Sequence, residues 1–135
     1  MKSCDFTSSD IESCRIFLAN VVNSDFKKSI IKDSAFDDSS FMGCSFEGSK
    51  IRGKSMMGYG GKRVRFEGCN FDSTEFKQIE FRAVEFVDCT FTNAKFEKVL
   101  LSAVKFINGF PLDSQFVKSD VQRSFIDDEP FEIEW

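Results

Sequence analysis

The chain of 135 residues contains no histidine. Acid–base chemistry would therefore fall to carboxylates or lysines, whose catalytic use depends on surroundings that tune their pKa values. The many Asp and Glu show no sign of being gathered into a pocket, so the expectation is that the protein is not an enzyme. No CxxC pair occurs either, and Cys4, Cys14, Cys44, Cys69 and Cys89 are spaced 10, 30, 25 and 20 residues apart. With no histidine to join them they lack the organisation of a metal site, and an odd count outside a small stapled scaffold argues for reduced, core-filling thiols. No metal and no cofactor is expected. Long apolar runs are absent: none approaches the roughly 18 to 20 residues of a membrane span. The polar opening Met1-Lys2-Ser3-Cys4-Asp5 is no signal peptide, and a cytoplasmic location with no membrane partner is expected. Net positive charge is missing too. With 18 Lys and Arg against 22 Asp and Glu, the net charge is −4, which argues against direct nucleic-acid binding, a process that needs a cationic face to displace counterions. Acidity is concentrated toward the C-terminal end, since residues 1–67 carry +2 and residues 68–135 carry −6.

What the chain has in abundance is phenylalanine, at a fixed spacing. Phe66, Phe71, Phe76, Phe81, Phe86, Phe91 and Phe96 recur every five residues. A helix returns its apolar residues at 3.6 and a strand at 2.0, so a period of five belongs to a repeated unit. Every fifth position from Met1 to Phe131 gives 27 sites, of which 25 are Phe, Ile, Val, Leu or Met, and Gly61 and Pro111 are the exceptions. Two places before each large residue stands a smaller one, such as Ser24, Ser29, Ser34, Ser39, Cys44 and Ser49, and all five cysteines occupy this phase. Large and small inward positions separated by one outward position fit a narrow core filled by alternating sizes.

Units such as Ser34-Ala35-Phe36-Asp37-Asp38, Cys69-Asn70-Phe71-Asp72-Ser73 and Cys89-Thr90-Phe91-Thr92-Asn93 resemble the pentapeptide-repeat family. The resemblance implies an all-β fold, a right-handed quadrilateral parallel β-helix of about six coils over residues 1–126, in which four five-residue faces make one coil. Stacked backbone segments about 4.7–4.9 Å apart would pair their amides between coils and bury a continuous stack of rings. In that register Phe71 and Phe91 are expected in one buried stack, with Asp72 and Thr92 facing water.

The pattern lapses at 54–63, where Lys54 and Tyr59 occupy small-residue sites and three glycines follow Met57. We read a protruding loop there that preserves the phase and replaces one or two units. A second lapse at 108–111 reads as a turn that interrupts or ends the regular coils. Beyond residue 126, Phe131-Glu132-Ile133-Glu134-Trp135 alternates apolar and acidic as a half-buried strand would. Residues 127–135 are therefore expected to cap the last coil or to join two copies into a homodimer.

Gly48-Ser49-Lys50-Ile51-Arg52-Gly53-Lys54-Ser55 matches the phosphate-loop pattern, but Ser49 and Ile51 are in repeat register and no helical pattern follows. A nucleotide-binding enzyme is accordingly a remote reading. Two surface features remain. Lys50, Arg52, Lys54, Tyr59, Lys62, Arg63 and Arg65 form a basic cluster around the loop and are the leading candidates for contact with a partner. Phe17, Leu18, Val22 and Met42 are apolar at outward positions and form a second candidate interface. The family resemblance implies a rigid, non-enzymatic protein-binding module acting as an inhibitor, immunity-type or adaptor protein on a protein partner. An alternative is a DNA-mimicking gyrase-binding protein of the quinolone-resistance type.

Overall fold

The computed structural model describes residues 4–17, 19–53, 55–57, 64–111 and 115–131; for Arg15, Phe17, Ser55–Met57 and Phe131 it describes the backbone alone. Among these residues there is no α-helix, and hence no helix long and apolar enough to cross a membrane. The chain winds into a four-sided parallel solenoid. Its first face carries no strand and is joined by single bridges, Asp5 to Asp25 to Ser45 to Asn70 to Thr90. The second is a sheet of β1 (Asp10–Glu12), β4 (Ile30–Lys32), β7 (Lys50–Arg52), β10 (Glu75–Lys77), β13 (Lys95–Glu97) and β16 (Phe116–Val117). The third holds β2 (Arg15–Phe17), β5 (Ala35–Asp37), β8 (Ser55–Met57), β11 (Glu80–Arg82), β14 (Leu100–Ser102) and β17 (Asp120–Gln122). The fourth holds β3 (Asn20–Val22), β6 (Ser40–Met42), β9 (Val64–Glu67), β12 (Val84–Val87), β15 (Lys105–Ile107), β18 (Ser124–Ile126) and β19 (Glu129–Phe131). Six rungs on the second and third faces give five stacking steps, the solenoid's five or so turns.

Register explains how the phase of five survives the first lapse. Most partners are twenty residues apart, as Phe36 with Met56 and Phe86 with Phe106, but Phe41 pairs with Phe66 and Phe81 with Met56, twenty-five apart. The five extra residues therefore enter between Met57 and Val64. Ser55–Met57, assigned by sequence to the loop, instead form β8, paired with both β5 and β11. Residues 54 and 58–63 lie outside the described residues. At 108–111 the ladder of the first face stops at Thr90, yet β16, β17 and β18 continue the parallel pairing beyond it. The lapse interrupts the coils without ending them. After β18 the chain reverses through Asp127 (φ 46°) and Asp128 (φ 65°), and β19 pairs antiparallel, with Phe125 opposite Pro130. Two residues at positive φ make the tight hairpin whose twist suits paired strands.

The core follows from the two inward positions. Phe6, Phe26, Phe46, Phe71 and Phe91 stack at centroid distances of 4.9, 4.8, 5.0 and 5.5 Å, within 9° of parallel. A second stack runs Phe41, Phe66, Phe86, Phe106, and neighbouring stacks meet edge-on, as Phe66 with Phe71 at 77°. Rung spacing imposes the first contact and the corner imposes the second; both are favourable ring geometries. Thr92 is exposed and Asp72 half-buried, its Oδ1 accepting from the Thr92 amide at 2.8 Å.

Corners are made by backbone. Every described residue two places after a large core site has φ between +46° and +77°, among them Lys28, Gln78, Ala83, Lys98 and Arg123. That left-handed conformation costs a side-chain-bearing residue on the order of 1 kcal/mol or more, so the inter-rung amide bonds and stacked rings must outweigh a small strain repeated at each corner. The small residues do more than fill space. Ser49 Oγ donates to the Phe26 carbonyl and Thr74 Oγ1 to that of Phe46 at 2.7 Å, while the amides of Val99 and Val104 donate to Ser119 and Ser124 Oγ at 3.1 Å each.

Candidate functional site

The basic cluster read from the sequence is divided by the fold. Lys50 and Arg52 flank buried Ile51 on β7, on the second face; Arg65 lies on β9, on the fourth. Lys54, Tyr59, Lys62 and Arg63 lie outside the described residues. Arg65 Nη2 is 3.7 Å from Glu67 Oε1, an ion pair on its own face. Around Lys50 and Arg52 the solenoid brings together residues distant in sequence. In register, Lys32 stacks on Arg52 and Arg52 on Lys77, while the neighbouring column runs Ile30, Lys50, Glu75, Lys95. Lys77 Nζ is 3.7 Å from Glu97 Oε2. Among the described residues no carboxylate oxygen lies within 4 Å of the charged nitrogens of Lys32, Lys50 or Arg52. Lys50, Ile51, Arg52, Glu75 and Lys77 line a depression of about 210 Å³. Sequence reasoning missed Lys32 and Lys77 because they are 20 and 25 residues from Arg52; the coil period was the available signal, and the five extra residues hid half of it.

The second candidate set is divided as well. Val22 and Met42 are in register on the fourth face, with Met42 41% exposed, and their column continues through Glu67 to Val87 and Ile107. Phe17 is around a corner on the third face, in register with Asp37, and Leu18 lies outside the described residues. Asp37, outward by the repeat, is buried at 4% exposure.

Elsewhere, Cys44, Cys69 and Cys89 are buried in successive rungs of one column, and their thiols reach the carbonyls of Val21, Phe41 and Phe66 as serine hydroxyls do in other columns. Its hydrogen bond with Cys69, and burial, hold the Cys44 thiol far above the ordinary range. For Cys69 the bond with Cys44 pulls downward, but the bond with Cys89 and burial push it up to about 12. Cys89 is lowered by its bond with Cys69 against the effect of burial. Beyond Thr90, where the described residues carry no further bridge on the first face, Gln115 Nε2 donates to the carbonyls of Phe91 and Ala94, 2.7 Å each. A cleft of about 580 Å³ opens there, lined by Thr90, Phe91, Asn93, Gly109, Phe110 and Gln115 among others. No group of three or more Cys, Asp or Glu among the described residues could hold a metal ion.

This organisation matches a family model described as a pentapeptide repeat region over residues 62–129, half of the chain. The chain belongs to the pentapeptide-repeat family. No curated protein matches it significantly. Among solved structures, this pentapeptide-repeat protein is similar to QnrB1, a plasmid-mediated fluoroquinolone resistance protein, at 15% identity and a TM-score of 0.40, covering 90% of this chain and 76% of that one. It is similar also to HetL, a pentapeptide-repeat protein involved in heterocyst differentiation regulation from the cyanobacterium Nostoc, at 7% identity and a TM-score of 0.24, covering 97% and 92%. The repeat also accounts for the phosphate-loop match. Gly48 and Gly53 sit at left-handed corners, Lys50–Arg52 is a strand between them, and the segment after Lys54 is strand β8 where a phosphate loop needs a helix.

Proposed function

We propose that this pentapeptide-repeat protein is a non-enzymatic protein-binding module, acting in the cytoplasm as an inhibitor, immunity-type or adaptor protein. One observation supports the reading above others: outward side chains stand in columns whose register is held by amide ladders, as Lys32, Arg52 and Lys77 are. A surface preformed in this way loses little conformational freedom on association. Lys54, Tyr59, Lys62 and Arg63, with their basic neighbours Lys50, Arg52 and Arg65, are proposed as part of the contact. A tagged chain used as bait in its native cell should retain a stoichiometric protein partner through high-stringency washing, and retention of none would remove the reading.

The −6 charge of residues 68–135 favours a second reading, a gyrase-binding DNA mimic, since a mimic must present carboxylates where DNA presents phosphates. Supercoiling by gyrase in the presence of a quinolone separates the two: rescue by this protein supports the mimic, and no effect leaves the first reading in place. Residues 127–135 are proposed to cover the last rung or to join two copies, and light scattering on a chain cut after Ile126 distinguishes a fall in mass from a loss of stability alone.

A further inference from the structure

The second face of the solenoid carries like charges in consecutive rungs, with Glu12 and Glu97 at the two ends of their column and Glu75 beside Lys50 in the next. Neighbouring rungs lie about 4.8 Å apart, and the outward column Lys32, Arg52, Lys77 stacks three cations in consecutive rungs. Like charges directly opposite one another in a sheet are unfavourable. Some outward cations are answered locally, Arg65 by Glu67, Arg82 by Glu80 and Lys27 by Asp25, and within the column Lys77 is answered by Glu97. Lys50 stands beside Arg52 on the same strand, and neither has a carboxylate within 4 Å among the described residues. This concentration of positive charge occurs on a chain of net charge −4, so it is not the overspill of a basic composition.

We infer that the second face, through Lys32, Lys50, Arg52 and Lys77, is the docking surface for an acidic, extended segment of a protein partner. The inference rests on the protein-binding reading and names the class of partner. Spacing supports an extended chain: Lys50 and Arg52 both point outward two residues apart on a strand, about 6.6 Å, which is also the spacing of alternate side chains on a partner strand. Carboxylates on one edge of such a segment meet the two cations together. Ile30 favours polypeptide over phosphate backbone, because it is 48% exposed between Asp10 and Lys50 in their column and offers an apolar contact that phosphates do not use. Asp10 and Glu12 in the first rung and Glu97 in the fifth bound the patch with negative charge, so an acidic segment has a defined place to settle.

The test uses the full chain and a fluorescein-labelled peptide of alternating Glu and Val, followed by fluorescence anisotropy, with Arg52→Glu compared against Lys105→Glu, the same change of charge on the fourth face. Arg52→Glu should weaken binding by about tenfold or more, and added salt should weaken the wild type, while Lys105→Glu changes little. The same Arg52→Glu should raise the melting temperature of the free protein by about 2 °C, because it places a carboxylate between two lysines. Equal weakening by both variants, or a lower melting temperature for Arg52→Glu, overturns the inference. Tighter binding of a labelled DNA duplex, equally sensitive to Arg52→Glu, makes the face a phosphate surface and also overturns it. In the native cell, a partner retained equally by wild type and Arg52→Glu overturns the face while leaving the binding-module reading standing; no partner retained by the wild type removes both.

Discussion

The middle of the rod and its sixth rung solve one problem by different means. In the middle the first face is a complete ladder: Asn70 is bridged to Ser45 on one side and to Thr90 on the other, and Phe71 lies between Phe46 and Phe91, fully buried. Beyond Thr90 no bridge continues the ladder among the described residues, and one side-chain amide, that of Gln115, donates to the carbonyls of both Phe91 and Ala94. Gly109 packs so close to Cys89, at φ 146°, that an added Cβ would collide with the Cys89 carbonyl oxygen. A repeating backbone distributes stability along the middle, whereas a few particular residues hold the end. Proteins of this kind open locally in units whose stability follows such contacts.

The largest test of this contrast is truncation of a ring. Phe71→Ala should cost about 3–5 kcal/mol, read by thermal or denaturant unfolding, and should destabilise the rod as a whole because rings press on Phe71 from several sides. Phe116→Ala, at 7% exposure in the last rung of its face, should cost less, and an equal loss at both sites would erase the distinction between middle and end. Gln115→Ala should cost about 1–3 kcal/mol by leaving the Ala94 carbonyl unanswered, while the Phe91 carbonyl keeps the Ala94 amide, and hydrogen exchange should show the opening confined to the sixth rung. Alkali should reverse the order. The Cys69 thiol is raised from 9.0 to about 12, so its folded form holds its proton more tightly than the unfolded chain does. The stability this contributes is complete below about pH 9 and lost as pH rises toward 12; Cys44, also raised, acts in the same direction and Cys89, which is lowered, against it. Melting temperature should therefore fall above pH 9 with loosening in the middle, and Cys69→Ser should flatten the decline. Thr92→Ala, exposed on the first face, should change stability by no more than about 0.5 kcal/mol.

Much of the fold was legible because size, polarity and period agree at single residues. Phe71 and Phe91 announce their stack through a spacing of twenty, and the period of five alone places Phe46 inward without saying which ring lies on it. Face assignment was not legible. A loop that keeps the phase of five can contain one unit or two, so Arg52 could not be set beside Lys77 until pairing showed where five residues had been added. The hairpin at the end was half visible: alternation in the tail suggested a strand, but Asp127-Asp128 carried the turn signal, and β19 begins at Glu129, before the alternating stretch. Gln115 depends on carbonyls one coil back, 24 and 21 residues away, and no local pattern marks it or the burial of Asp37. Serine at the small sites was read as volume, while its hydrogen bonds to carbonyls of the preceding rung required knowing which carbonyls lie there.

The five-residue excess between Met57 and Val64 implies a rule for how such a chain can lengthen. Inside and outside are assigned by counting, much as a reading frame is, and an addition of five restores the count on the far side. Additions of one to four would take the next Phe out of the column of rings, either outward or into a site sized for serine or cysteine. Growth at a corner is thus quantised in fives, and a segment of that length can vary freely while all that follows keeps its place.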